Sequence, residues 1–268
     1  MDENAASGIR RTLGLLKVLG EGDPQGMRLT DIAAASGLTQ PSVHRAMKAL
    51  MAEGFVEQVG TSRKYRLAID FFVLAARAGH ADGLRNLARP ALLRLSATLG
   101  DTVFLLVRHG FDAVCLDRVE GPFPIRSFTG DIGGKVPLGL GQGSLAMLAY
   151  LPEDEREAVI RFNVPRLLDR GFLDEVGLRM HIENVRRTGW ASINTGLIPG
   201  MAGVGVPVFD AGGRAVAAFS IGTLAERLKD DRLPVVVRLL QKEAEALAQH
   251  VNPFDPTLRY PARSLGAG

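Results

Sequence analysis

The stretch LTDIAAASGLTQPSVHRAMKALMAEGFV, residues 29–56, sets two short helical patterns on either side of a glycine, and the second pattern carries His44, Arg45 and Lys48. Thr30 is placed to cap the first helix, which runs through Ile32 and Ala35, and Gly37 ends it in the left-handed geometry that glycine tolerates. Thr39 or Gln40 is placed to cap the second, with Pro41 in its first turn, where the amide that proline lacks would be unpaired anyway. Projected at 100° per residue, Val43, Ala46, Met47 and Leu50 fall in one arc, and Pro41, His44, Arg45 and Lys48 fall opposite. Charge opposite an apolar stripe is the ordinary state of a solvated amphipathic helix. The preceding helix adds the deciding constraint. Ala33, Gly37 and Val43 have the spacing of a helix-turn-helix: a small residue where the helices cross, a glycine in the turn, and a β-branched residue packed beneath it.

Upstream, Ile9, Leu13, Leu16 and Leu19 recur at helical steps and predict one apolar face of a helix ending near Gly20 and Gly22. Downstream, FVEQVGTSRKYRL, residues 55–67, predicts a hairpin around Gly60-Thr61-Ser62 that bears Arg63, Lys64 and Arg66. Three helices and a basic hairpin make a winged helix. In that geometry the third helix enters the major groove of a DNA duplex, where Arg45 can reach guanine O6 and N7 and His44 or Gln40 can meet base edges. Ser42 and Lys48 suit phosphates, and Thr61, Ser62, Arg63 and Lys64 suit the backbone or minor groove.

The chain as a whole has 268 residues, 46% of them apolar, a formal charge of +3 and a single cysteine. That predicts about two domains and no internal disulfide. With no bilayer-length apolar run and no apolar leader, it predicts a cytoplasmic protein that does not engage a membrane. So small a net charge does not announce nucleic-acid binding, so placement of the charges carries that argument. From Ala68 to about Leu99 the pattern is helical, with a weaker join at RAGHADG, residues 77–83. Beyond it, TVFLLVRHG, DAVCLDRVE, FPIRSFT, GVGVPVFD and AVAAFSIGT read as strands, SLAMLAYL and EDEREAVIRF as helical, and Pro234 to His250 as a final helix. Strands in hairpin-like succession predict a largely antiparallel sheet flanked by helices, an α+β domain.

An enzyme is the rival class. His109, Asp112 and Cys115 lie within seven positions, but Cys115 sits in a strand between Val114 and Leu116, where an inert buried thiol is the common case. Ser144 lacks the strand-turn-helix setting of a hydrolase elbow, and no histidine or cysteine pairing has zinc-site spacing. No catalytic residue, metal or cofactor is expected. A second rival is a sensor or scaffold whose helix-turn-helix mediates protein contacts.

The succession LTDIAAASGL, PSVHRAMKALMAEGFVE and KYRLA, followed by GGKVPLGLGQGSLAMLAYLP and PGMAGVGVPVFDAGGRAVAAFSI, resembles the IclR family of bacterial transcriptional regulators over nearly the whole chain. The glycine- and proline-rich central motif and the small-residue strand pair are its most specific parts. The resemblance implies a winged helix-turn-helix DNA-binding domain at 1–68, a helical linker at 69–84 and a GAF/profilin-like effector-binding domain at 85–251, with 252–268 as a loose tail. It implies a homo-oligomer, dimer or dimer of dimers, on a double-stranded DNA operator, repressing or activating. It also implies an effector pocket walled by the loop around Gly141, Gln142 and Gly143 and by Ile193, Met201, Gly203, Ser220 and Gly222, with Ile125 and Phe128 near a variable wall. Members that take very small polar acids carry an acid, a thiol and two hydroxyls there. Here Ile193, Gly203 and Gly222 remove the acid, the thiol and one hydroxyl, which predicts a roomier, less polar pocket for a small-molecule effector, an organic acid with an aromatic or apolar body.

Overall fold

Helical periodicity dominates the N-terminal unit, Met1–His80, and strand alternation the second, Ala81–Gly268, in a computed structural model that describes residues 3–78, 83–123, 131–192, 199–229 and 231–251. The predicted strand FPIRSFT falls almost wholly outside the described residues, as do Ile125, Phe128, Ile193 and the 252–268 stretch.

The first unit runs α1 (Glu3–Glu21), β1 (Met27–Arg28), α2 (Leu29–Ser36), α3 (Gln40–Ala52), β2 (Val56–Gln58), β3 (Lys64–Leu67) and α4 (Ile69–Ala78). Its core is Leu15, Leu19, Ile32, Ala33, Val43, Met47, Leu50 and Val56. Gly37 closes α2 at φ 68°, so the chain can reverse into α3 within three residues, and Val43 is sealed beneath that turn. Four local expectations are corrected. On α1 the buried residues are Leu15 and Leu19, while Ile9 and Leu13 stand 64% and 53% exposed. Thr30 does not cap α2. The N-cap is Arg28, because β1 pairs Met27 with Tyr65 and Arg28 with Lys64 and delivers the chain directly into the helix. Thr39 occupies the N-cap of α3, but its hydroxyl donates to Ser42 Oγ at 3.0 Å and caps no backbone amide. The wing thus has three strands, in the order β1-β3-β2, rather than the two of a hairpin.

The second unit is α+β. It contains α5 (Leu84–Leu99), β4 (Thr102–His109), β5 (Asp112–Val119), β6 (Lys135–Pro137), α6 (Gln142–Ala149), α7 (Glu153–Leu168), α8 (Glu175–Thr188), β7 (Met201–Phe209), β8 (Ala215–Leu224), a 3-10 turn at Ala225–Arg227 and α9 (Arg232–Ala248). The five strands form one sheet in the order β6-β5-β4-β8-β7, every neighbouring pair antiparallel. Alternation sends Val103, Leu105, Val107 and Phe219 to one face, where α5 and α9 cover them. Phe104, Leu106, Cys115 and Ala218 go to the other, beneath α6, α7 and α8. Residues Gly143 to Ala149 of α6 are all buried, as a helix apolar on every side must be.

A charged staple closes one end of this sheet. Asp101, fully buried at the start of β4, accepts from Thr223 Oγ1 at 2.8 Å, Arg227 Nε at 3.2 Å and an Arg232 guanidinium nitrogen at 2.5 Å. Arg232 also donates to the Leu99 carbonyl at 2.7 Å, and the Arg227 guanidinium lies 4.0 Å from the centroid of the Phe123 ring. One carboxylate therefore joins the end of β8, the 3-10 turn, the start of α9 and the loop after α5.

Candidate nucleic-acid interface and effector site

The apolar arc of α3 positions its charges. Val43 and Met47 are fully buried and Leu50 nearly so, which fixes the rotation of the helix and leaves Gln40, His44, Arg45 and Lys48 exposed on the opposite side, with Ser42 half-buried at the edge. On the wing, Gly60 at φ 53° turns the chain, the Ser62 amide donates to the Val59 carbonyl at 2.9 Å, and Ser62 Oγ accepts the Lys64 amide at 3.2 Å. Thr61 and Arg63 are exposed at the tip. The wing is less basic in effect than its sequence. Lys64 pairs with Asp23 at 3.8 Å and Arg66 with its cross-strand partner Glu57 at 2.6 Å. Both pairs are solvent-exposed, each stabilising by at most about 1 kcal/mol, so a phosphate can displace them.

In the second unit the glycine loop and the central strands meet. Gly139 at φ 104° and Gly141 at φ 80° carry the loop into α6, and Ser144 Oγ ties it by accepting the Gly139 amide at 3.2 Å and donating to the Leu140 carbonyl at 2.6 Å. Ser144 is thereby a loop brace. Across the sheet, Phe104 faces Ser220 and Ser220 faces Gly205; the next row is Thr102, Gly222 and Gly203. Residues directly opposite share a face, so Met201, Gly203, Gly205, Ser220 and Gly222 all lie on the α6 side with Gln142 and Gly143.

Gly143, Gly203 and Gly205 do not open space there. A Cβ on Gly205 would lie 2.4 Å from the Gln142 carbonyl carbon, one on Gly143 would lie 2.5 Å from Leu106 Cδ1, and the Gln142 side chain lies 3.1 Å from where a Cβ of Gly203 would be. They let the first turn of α6 sit on the strands, and Gln142 takes the volume that a side chain at position 203 would fill. The expectation that small residues at these positions enlarge the cavity is corrected for Gly203. Gly205→Ala accordingly destabilises the effector domain by about 1–3 kcal/mol, the cost of forcing a methyl group into a filled contact. Urea unfolding followed by the fluorescence of Trp190, the single tryptophan, reads it.

The candidate nucleophile is inert. Burial pushes the Cys115 thiol up to about 12, so it stays protonated. Cys115 lies opposite Leu106, while His109 lies opposite Asp112 at the far end of β4, and Asp112 pairs with Arg166 at 2.8 Å. The three residues do not converge. Two residues on the Ser220 row lie outside the sequence-derived set: the alternation of TVFLLVRHG signals Phe104, whereas the bulge in DAVCLDRVE hides the face that Arg118 takes.

A winged helix with an exposed cationic helix, on one chain with an antiparallel sheet domain that seats a glycine loop and helix end over a polar row, defines a ligand-responsive transcriptional regulator. The chain belongs to the IclR family: the family model described as bacterial transcriptional regulator IclR C-terminal matches residues 76–249, and that of the IclR helix-turn-helix domain matches residues 8–60. It is 25% identical over 226 residues to the HTH-type transcriptional regulator KipR of Bacillus subtilis, covering 84% of this chain and 90% of that one. It is likewise 25% identical over 240 residues to the transcriptional repressor IclR of Escherichia coli, covering 88% and 87%. Among solved structures, an IclR homolog from Microbacterium hydrocarbonoxydans, crystallised with 4-hydroxybenzoate, superposes with a TM-score of 0.78 at 23% identity, over 91% of this chain and 98% of that one. Regulators of this family bind DNA operators and small-molecule effectors. No helix among the described residues is long and apolar enough to cross a membrane.

Proposed function

We propose that the chain acts in the cytoplasm, without catalysis, as a homo-oligomer that reads a paired operator with α3 and answers to a small organic acid with an aromatic or apolar body. The observation that supports the DNA reading is the rotation of α3: sealing Val43, Met47 and Leu50 leaves Gln40, His44, Arg45 and Lys48 exposed with Ser42 at the edge, and in our reading Gln40, His44 and Arg45 meet base edges while Ser42 and Lys48 meet phosphates. Thr61, Ser62, Arg63 and Lys64 hold the backbone or minor groove from the wing. A paired operator follows from symmetry, since two reading helices need two half-sites. Apolar side chains left uncovered on α1 (Ile9, Leu13) and α4 (Ile69, Val73, Leu74) support assembly of a second copy against this unit. The effector class is supported by the mixture of Phe104, Ser220 and the glycine loop on one sheet face, and by the aromatic acid that the Microbacterium hydrocarbonoxydans homologue holds.

The test is selection of random duplexes by the purified full chain, with and without hydroxybenzoates and phenylacetates, followed by sequencing. The expected product is an inverted repeat whose enrichment changes with an acid. Enrichment of a single unpaired half-site, or of nothing, overturns the operator reading.

A further inference from the structure

The row that carries Ser220 does not end at Phe104. Phe104 pairs with Arg118 on β5, so Arg118, Phe104, Ser220 and Gly205 lie side by side across four strands, all on the α6 face. A register shift between Leu105 and Leu106 sets this up, sending Asp117 to the opposite face, where it pairs with Arg89 at 3.0 Å. A cationic side chain thus stands at one end of the row and the first turn of α6 at the other, about 14 Å apart at three strand spacings, with an aromatic ring between them.

Arg118 is only 18% exposed, and two carboxylates among its partners are far more open: Glu120 at 2.5 Å is 50% exposed and Asp131 at 2.9 Å is 89% exposed. Ion pairs to such exposed acids contribute little and exchange readily. A guanidinium held in the sheet, by contrast, presents a fork that matches a carboxylate bidentately, whereas a helix end offers about half a unit of charge. We infer that Arg118 is the specificity-determining anchor for the effector's carboxylate, that Asp131 stands in for that carboxylate in the free protein, and that the effector's apolar body lies over Phe104 with its far end toward Ser220 and the first turn of α6. This inference rests on the organic-acid reading above and adds the orientation of the ligand.

Calorimetric titration of the full chain with benzoate, 4-hydroxybenzoate, phenylacetate and hexanoate, and with 4-hydroxybenzamide as the neutral counterpart, tests it. Arg118→Gln should weaken the tightest acid about 10- to 100-fold, the worth of a hydrogen-bonded charge, and leave the amide unchanged. Asp131→Asn should tighten the acid about two- to fivefold by removing one of the carboxylates that compete for Arg118. Arg118→Lys, which keeps the charge without the fork, should fall between parent and Arg118→Gln, and it serves if the glutamine variant fails to fold. Equal binding of an acid by the parent, Arg118→Gln and Arg118→Lys overturns the Arg118 assignment and leaves the organic-acid reading intact. Failure of every acid to bind both the parent and Asp131→Asn overturns the two together.

Discussion

Asp101→Ala unfolds the effector domain at markedly lower denaturant, by about 3–5 kcal/mol, because it leaves two arginines aimed at a buried acceptor that is gone. Arg227 and Arg232 retain side-chain exposures of 28% and 27%, so water relieves part of that cost and the effect falls toward the lower figure. The loss is not confined to charge. Thr223 Oγ1 loses its acceptor, Arg227 loses the partner that holds it over Phe123, and Arg232 keeps only backbone acceptors, the carbonyls of Arg227 and Leu99. Asp101→Asn retains the shape and one acceptor oxygen and should cost less. With a urea dependence of about 1–3 kcal/mol per molar, the alanine variant's midpoint drops by about 1–3 M. Trp190 reports the transition, since it packs against the core shared by α5, α9 and the sheet. A midpoint within a few tenths molar of the parent would make the staple incidental to stability.

Asp101 also shows where sequence reading stops. Its partners lie 122, 126 and 131 residues away, and no local pattern connects them. The helix-turn-helix was legible because its constraints are short-range: Ala33, Gly37 and Val43 satisfy one turn within eleven positions, and periodicity alone assigns Val43, Met47 and Leu50 inward. Where the same periodicity served two masters it misled. On α1, Ile9 and Leu13 form a stripe beside the one that Leu15 and Leu19 bury, and the sequence does not say which stripe the unit uses. Thr30 failed as a cap because capping depends on where the chain enters the helix, and that is set by pairing of Met27 with Tyr65, far along the chain.

The candidate effector site was legible in position more than in shape. The glycine loop and the small-residue strands do meet on one face of the sheet, but a glycine in a sequence implies room where Gly205 instead provides contact: the Gln142 backbone occupies the place of a Gly205 side chain. Arg118 stayed hidden for a related reason. A register shift of one residue decides which face a strand charge takes, and neither the bulge nor its partner strand is visible from DAVCLDRVE alone.

Arg45→Ala should weaken binding to the selected operator by about 1–3 kcal/mol while leaving binding to random duplex nearly unchanged, and the loss should map to one base pair in each half-site. The variant isolates recognition from folding, since Arg45 is exposed on α3 while Val43 and Met47 carry the packing, so its melting temperature should match the parent's. Lys48→Ala is the contrast. Set further along α3 and suited to phosphate, it should lower affinity for operator and random DNA alike and reduce the salt slope by about one unit, because one fewer counterion is released. Titrations over a range of salt, with the operator and with operators changed singly at each position, separate the two patterns. An Arg45→Ala protein that keeps the parent's ratio of operator to random affinity would remove Arg45 as a base reader, and the burden of discrimination would pass to Gln40 and His44 on the same exposed face.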